Sequence, residues 1–197
     1  MIEVYAKNVD NVWFGVSCEG HQVFATCFAI NEKEALQSLL TCIPFNAPFE
    51  VVSAGSAFAE KVMSAVKKVY DGKDGTQNFR MATEHLPAYT QRVLKTVTLI
   101  PVGYVASYGA VAKATGGGAR AVGNIMAGNH FAPIVPCHRV VSADFTLGGY
   151  SGGLDVKVEF LKREKRGYTE QKEIPIKGKK LQVVPVEFVL RKVGKNE

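Results

Sequence analysis

Apolar and polar positions change their period along this chain, and the changes mark out its elements. Over residues 1–30 they alternate. Val12, Phe14 and Val16 fall on one side, and Trp13, Gly15 and Ser17 on the other. That is the period-two pattern of half-buried strands. Glu19-Gly20 reads as a hairpin turn and His21 to Ile30 as the return strand. With two residues in that turn, Cys18 would face His21 and Cys27 would face Val12. From Asn31 the period lengthens. Asn31 can cap a helix reaching Leu40, with Glu34 three residues on as in a capping box. A proline-containing strand region follows over 43–52. An amphipathic helix then runs from about Ser53 to Tyr70, with Phe58, Val62, Ala65, Val66 and Val69 on one face. Asp71 to Gly75 reads as a turn or linker, and a domain boundary is expected between 72 and 86.

The second half is patterned as helices. Pro87 suits the start of a helix over about 87–99, with Val93, Leu94 and Val97 as its apolar positions. Pro101-Val102-Gly103 breaks it. Ser107 can cap a short helix over 108–115, Gly116 to Gly118 make a turn, and Ala119 to Ala127 form a second short helix. Helix, glycine turn, helix is the outline of a helix-turn-helix, an outline shared by many helical hairpins that bind no DNA. The only charged residue of the second helix is Arg120, among the small Ala119, Ala121, Gly123 and Ala127. A helix that reads major-groove bases carries several long polar side chains. This one suits either close approach to a narrow groove with one arginine, or burial in a core with Arg120 on the rim. The pattern does not choose between them.

Residues 142–153 form a loop whose glycines 148, 149, 152 and 153 permit close backbone approach. Leu154 to Arg166 is expected as a helix with Leu154, Val158 and Leu161 inward and Lys162, Arg163, Lys165 and Arg166 outward. Glu164 is the one acid in that basic run, and by pattern alone a surface ion pair. Further on, Ile174, Ile176, Leu181, Val183 and Val184 predict two short strands joined at Gly178, a hairpin that needs a surface to pack on. The expected organisation is 1–80, 81–168 and a 169–197 extension.

Composition narrows the class. A chain of 197 residues, 47% hydrophobic and 21% charged, fits an ordinary globular protein of one large or two small domains. No run of eighteen apolar residues predicts a membrane span. Glu3, Lys7 and Asp10 argue against a signal peptide. The four cysteines lack disulfide-framework spacing, so a reduced, cytoplasmic setting and no membrane partner are expected. Cys18 and Cys27 would sit six positions apart along one face, roughly 20 Å, too far to share a disulfide or a metal. No metal is expected. The net charge of +6 permits attraction to a polyanion without demanding it.

The stretch with most chemistry is Ile134 to Val141, where Cys137 directly precedes His138. Prolines at 133 and 136 predict a stiff, extended segment. A thiol reacts as the thiolate, and a nearby imidazole lowers its pKa. Most free cysteines are nonetheless small buried hydrophobes, and adjacency alone leaves both readings open.

The flanking residues add a resemblance. Pro101 to Tyr108, Ala119 to Met126, Gly128-Asn129, Ile134 to Val141 and Gly148 to Gly153 occur in the order found in the O(6)-alkylguanine-DNA alkyltransferases. The chain resembles that family strongly over 88–168, weakly over 1–80, and not in the tail. The resemblance implies a mixed α/β (α+β) fold: an N-terminal RNase H-like sheet domain and a C-terminal helical domain of winged helix-turn-helix type. It implies single-turnover transfer of an alkyl group from guanine O6 to Cys137, with no cofactor, on double-stranded DNA containing O6-alkylguanine, by a monomer. His138 would relay the thiol proton through a water to Glu164. Arg120 would fill the gap left by the flipped nucleotide, and Tyr108 would crowd the target phosphate and supply a proton to guanine N3. Asn129 would brace the helix-turn-helix against the active-site segment. Val140, Tyr150 and Ser151 would line the base pocket, and Thr90, Ala119 and Asn124 would touch DNA. Ala143 departs from the small polar residue many members carry there, which removes one DNA contact. The rival expectations are a non-catalytic winged-helix binder or lesion sensor, and a cysteine hydrolase using Cys137 and His138.

Overall fold

The computed structural model describes residues 1–75 and 78–194. Positions 76 and 77, within the 72–86 region where a domain boundary is expected, and 195–197, the end of the expected extension, lie outside the described residues. The chain divides into two compact units. The first comprises Met1–Tyr70, Gly75–His85 and His130–Ile134; the second comprises Asp71–Asp74, Leu86–Asn129 and Val135–Glu197.

In the first unit, β1 (Ile2–Val9), β2 (Val12–Glu19) and β3 (Gln22–Ala29) form an antiparallel meander. Then come α1 (Glu32–Leu40), β4 (Phe49–Val52), α2 (Ala57–Tyr70) and β5 (Arg80–Met81). The sheet order is β4-β1-β2-β3-β5, with both outer strands parallel to their neighbours. Asp10 and Asn11, both at positive φ, make a two-residue turn between β1 and β2, the geometry that follows strand twist. The second turn falls one place later than the alternation predicts. Glu19 pairs with Gln22, so Gly20 and His21 are the turn, and Gly20 takes the left-handed φ of 57° that a side chain would resist. The displaced turn sets Cys18 opposite Val23, and a bulge between Ser17 and Cys18 then shifts the register once more, so Cys27 faces Gly15. The expected pairs Cys18–His21 and Cys27–Val12 are therefore corrected. A side chain at Gly15 would collide with Cys27 and Leu39, its Cβ falling 2.8 Å from Cys27 Sγ.

Asn31 caps α1 through its side-chain oxygen, which accepts the Glu34 N–H at 2.9 Å. Ala35 and Leu39 of that helix pack with Ile2, Val4, Ala25 and Cys27. Helix α2 begins at Ala57, later than its pattern implies, where the Ser56 hydroxyl accepts the Ala59 N–H at 3.2 Å.

The second unit holds α3 (Ala88–Val97), β6 (Tyr104–Ser107), α4 (Tyr108–Thr115) and α5 (Ala119–Ala127). A single 3-10 turn, Cys137–Arg139, leads into β7 (Val140–Val141). Then follow α6 (Leu154–Arg163), β8 (Lys172–Ile176), β9 (Lys179–Pro185) and α7 (Val186–Val193). Ser107 caps α4 by accepting the Ala110 N–H at 3.0 Å, and Gly116 ends it in the left-handed region at φ 81°.

Two elements here lack a sequence forecast, β6 and α7, and together they explain the extension. Among the described residues the unit contains a sheet of order β7-β6-β9-β8. Strand β9 pairs antiparallel with β6 through Val105 and Val184, which is the surface the hairpin needs. Val184, with Val186 and Val189 of α7, joins Val105, Val141 and Leu161 in one buried cluster. Helix α6 stops at Arg163, and Glu164 is its C-cap, which corrects the expected end at Arg166. Leu154 is exposed, and Phe160 takes the inward place instead. No helix among the described residues is long and apolar enough to cross a membrane.

Candidate active site

The residues around Cys137 all belong to the second unit. The expected extended segment is in fact a tight double turn. Pro136, at φ −80° and ψ 69°, lets the Cys137 N–H reach back to Val135 O at 2.8 Å, the geometry of an inverse γ-turn. Arg139 N–H then bonds Pro136 O at 2.9 Å. The Asn129 amide donates to the same Val135 carbonyl at 2.9 Å and also hydrogen-bonds Cys137. One asparagine thus ties the end of α5 to the turn that holds the sulfur.

His138 is fully buried and stacks on Phe160, ring centroids 4.4 Å apart. Its Nε2 lies 2.9 Å from Glu164 Oε1. Burial lowers the His138 pKa, against the pull of Glu164. A neutral imidazole then donates from Nε2–H to Glu164 and leaves a lone pair on Nδ1, which has no protein partner. Glu164 is itself fully buried, where its sequence pattern implies a surface pair. Burial raises its pKa, but His138 and Arg139 outweigh that and hold the carboxylate ionised, well below the usual range. Arg139 supplies the permanent charge. Its Nη2 reaches Oε1 at 2.7 Å, its Nε spans both oxygens, and its Nη1 donates to Ile100 O at 2.7 Å.

Cys137 is 4% exposed. Burial raises its pKa; the Asn129 side chain, the Lys157 charge and the N–H groups of Cys137 and His138 pull the other way. Burial prevails at rest, so the sulfur carries its proton and is surrounded by groups that favour losing it. Lys157 is the most unusual of these. It is fully buried, and its ammonium donates to the carbonyls of Val140, Leu147 and Gly149 at 2.7, 2.6 and 3.0 Å. Three protons meet three acceptors. Burial lowers its pKa to about 8, which leaves it charged at neutral pH.

Tyr108, the first residue of α4, donates its hydroxyl to Gly149 O at 3.2 Å, and burial raises its pKa. Tyr150 hydrogen-bonds Cys137, and burial pushes its phenol up as well. Both remain proton donors at neutral pH. The structure therefore brings Cys137, His138, Glu164, Asn129, Tyr108, Val140 and Tyr150 together. Ser151 is exposed on the 142–153 loop, and Ala119, Arg120 and Asn124 are exposed on α5. Thr90 is half-buried in the first turn of α3.

Sequence reasoning missed Arg139 and Lys157. Lys157 did leave a signal. It falls three before Phe160 and four before Leu161, on the inward stripe of α6 where a solvated lysine has no place. Arg139 leaves none, because its partners Glu164 and Ile100 are distant in sequence. Among the described residues no group of three or more His, Cys, Asp and Glu side chains is placed to hold a metal ion.

Fold and site together define a mixed α/β protein in which a helix-turn-helix unit encloses a cysteine beside a buried imidazole–carboxylate pair. Comparison with known proteins agrees. Residues 88–166 match the family model described as 6-O-methylguanine DNA methyltransferase, DNA binding domain. The Methanocaldococcus jannaschii methylated-DNA--protein-cysteine methyltransferase is 30% identical over 160 residues, covering 80% of this chain and 90% of that protein. Several further curated relatives are matched over a little less than half their own length. The crystal structure of the Pyrococcus kodakaraensis O6-methylguanine-DNA methyltransferase superposes with a TM-score of 0.65 at 28% identity, covering 83% of this chain and 99% of that one. That of Mycobacterium tuberculosis OGT in complex with DNA gives 0.64 at 25%, covering 83% and 92%. This chain belongs to the methylated-DNA--protein-cysteine methyltransferase family.

Proposed function

We propose that this protein repairs DNA by direct reversal. It transfers an alkyl group from guanine O6 in duplex DNA to Cys137, once per molecule, as a monomer in the cytoplasm. The observation that carries the reading is the enclosed sulfur of Cys137 beside the 2.9 Å His138–Glu164 hydrogen bond. A saturated carbon calls for a soft nucleophile, and thiolate is the best side chain for that displacement.

The chemistry divides among named groups. His138 takes the thiol proton on Nδ1 through a bridging water, since Nδ1 makes no direct bond to the sulfur, and Glu164 stabilises the imidazolium through Nε2–H, as the third member of a triad does. Lys157 and Asn129 stabilise the sulfur anion as it forms. The sulfur bonds the alkyl carbon as the carbon–O6 bond breaks, and the guanine takes a proton from Tyr108, which makes it a neutral leaving group. A base stacked in a duplex cannot reach a buried sulfur, so the nucleotide must rotate out, at a cost of a few kcal/mol. Arg120, at the start of α5, fills the gap left behind. Ala119, Asn124 and Thr90 contact the backbone near it, and Val140, Tyr150 and Ser151 wall the base pocket. The transfer balances with no cofactor.

The test is intact mass after incubation with a methylated duplex oligonucleotide. The expected result is a gain of one methylene, roughly 14 Da, located on Cys137, because the thioether is stable. Cys137→Ala should bind the same duplex and gain nothing. Binding with no gain by the unaltered protein would leave a lesion sensor. Removal of the methyl from DNA without its capture would leave a hydrolase.

A further inference from the structure

The β8–β9 hairpin lies outside the region matched by the family model, yet it is packed beside the helix-turn-helix. A groove of about 470 Å³ runs between α4 and the hairpin. Ala110 and Lys113 line it from α4, and Glu173, Gly178, Lys179 and Lys180 from the hairpin. Lys179 reaches the turn between α4 and α5, where its Nζ lies 3.3 Å from the place a Cβ on Gly116 would occupy.

The charges here are uneven. Lys180 is taken by Glu173 at 2.5 Å. Lys113, Lys177 and Lys179 are exposed, and among the described residues none of them is in an ion pair. Lys177 sits at the hairpin tip with a φ of 36°, beside Gly178 at 79°. A left-handed residue other than glycine or asparagine is unfavourable, by about 1 kcal/mol or more. The tip keeps a lysine where asparagine or glycine would be easier to place.

We propose that this groove receives a DNA sugar–phosphate strand, so that the hairpin acts as a wing extending the duplex interface beyond α5. The inference rests on the DNA reading above. In a helix-turn-helix the first helix crosses the backbone while the second enters the groove. Helix α4 is that first helix, and a strand crossing it runs along Lys113 toward Lys179 and Lys177. The three ammonium groups neutralise phosphates without reading sequence, so the wing adds affinity and not specificity.

The experiment measures binding to a long unmodified duplex as a function of salt, for the unaltered protein and for the combined Lys113→Ala, Lys177→Ala and Lys179→Ala variant. Every phosphate left without its ammonium partner reduces the slope of log affinity against log salt by roughly 0.9, so the variant's slope should be shallower by about 2 to 3. Transfer from a free O6-alkylguanine base, which needs no duplex, should be unchanged and shows the variant folded. Lys33→Ala, on α1 in the other unit, should leave the slope as it is. An unchanged slope in the triple variant, or an equal reduction in Lys33→Ala, overturns the wing while leaving the repair reading intact. Absence of salt-dependent duplex binding by the unaltered protein overturns both.

Discussion

Arg139, Lys157 and Glu164 are withdrawn from water close to Cys137, together with a neutral His138. Burying an ion costs several kcal/mol unless its hydrogen bonds are all met. Here they are met: Arg139 by a carboxylate and a carbonyl, Lys157 by three carbonyls. The arrangement has a consequence in pH. The folded His138 lies below its ordinary 6.5 and the folded Glu164 below its ordinary 4.5. In both windows the unfolded chain binds more protons than the folded one, so stability rises with pH. The His138 contribution is complete above 6.5 and is lost as pH falls through its lower folded value; Glu164 follows below 4.5. Urea unfolding should show a lower midpoint at about pH 5 than at about pH 7.5. Equal midpoints at the two pH values would contradict a neutral buried imidazole. The sequence carries Cys137 and His138 openly, because their adjacency is local. It hides the state of Glu164, which stands among Arg163, Lys165 and Arg166 and takes its partners from another part of the chain.

Helices were legible wherever their signals were local. The Asn31 and Ser107 caps, the Gly116 terminator and the inward faces of α2 and α3 are all written within a turn of where they act. Strands were legible as alternation but not as register. The bulge at Ser17/Cys18 moved Cys27 to a partner that no count along the strand could give, and the later turn moved Cys18. Strand β6 is four residues long behind a Pro-Val-Gly break, too short to alternate visibly, and it is a strand because β7 and β9 flank it. Helix α5 is small-sided, with Ala119, Arg120 and Ala121 exposed at its start. If its arginine acts by holding open the space of a rotated nucleotide, Arg120→Ala should slow transfer from duplex roughly 10- to 100-fold, in line with a flipping cost of a few kcal/mol. Transfer from the free base should be nearly untouched. Equal slowing on both substrates would assign Arg120 to the chemistry or to folding instead.

At the scale of the whole molecule, the second unit reaches past the boundary that family resemblance draws at 166–168. Leu181, Val183, Val184, Val186 and Val189 are all buried there, and fully burying such side chains contributes about 1.5–3 kcal/mol each. That sum rivals the net stability of a whole domain. A chain stopped after Tyr168 should therefore lose the cooperative unfolding of the second unit and its alkyl-accepting ability together. Retention of both would mean that β6 is stable with β7 as its only neighbour. The +6 net charge is likewise a property of the whole, and it makes duplex association sensitive to ionic strength.

Strand β9 has one more effect, on timing. The ribosome releases Cys137 before it has made the residues that close the sheet around β6. Domains tend to fold in the order they are synthesised. The nascent thiol is thus left without its finished enclosure, at the mercy of any electrophile in the cell, until translation has passed Pro185. On the single-turnover reading proposed above, loss at this early stage is permanent. On the same reading, rapid completion of synthesis protects repair capacity.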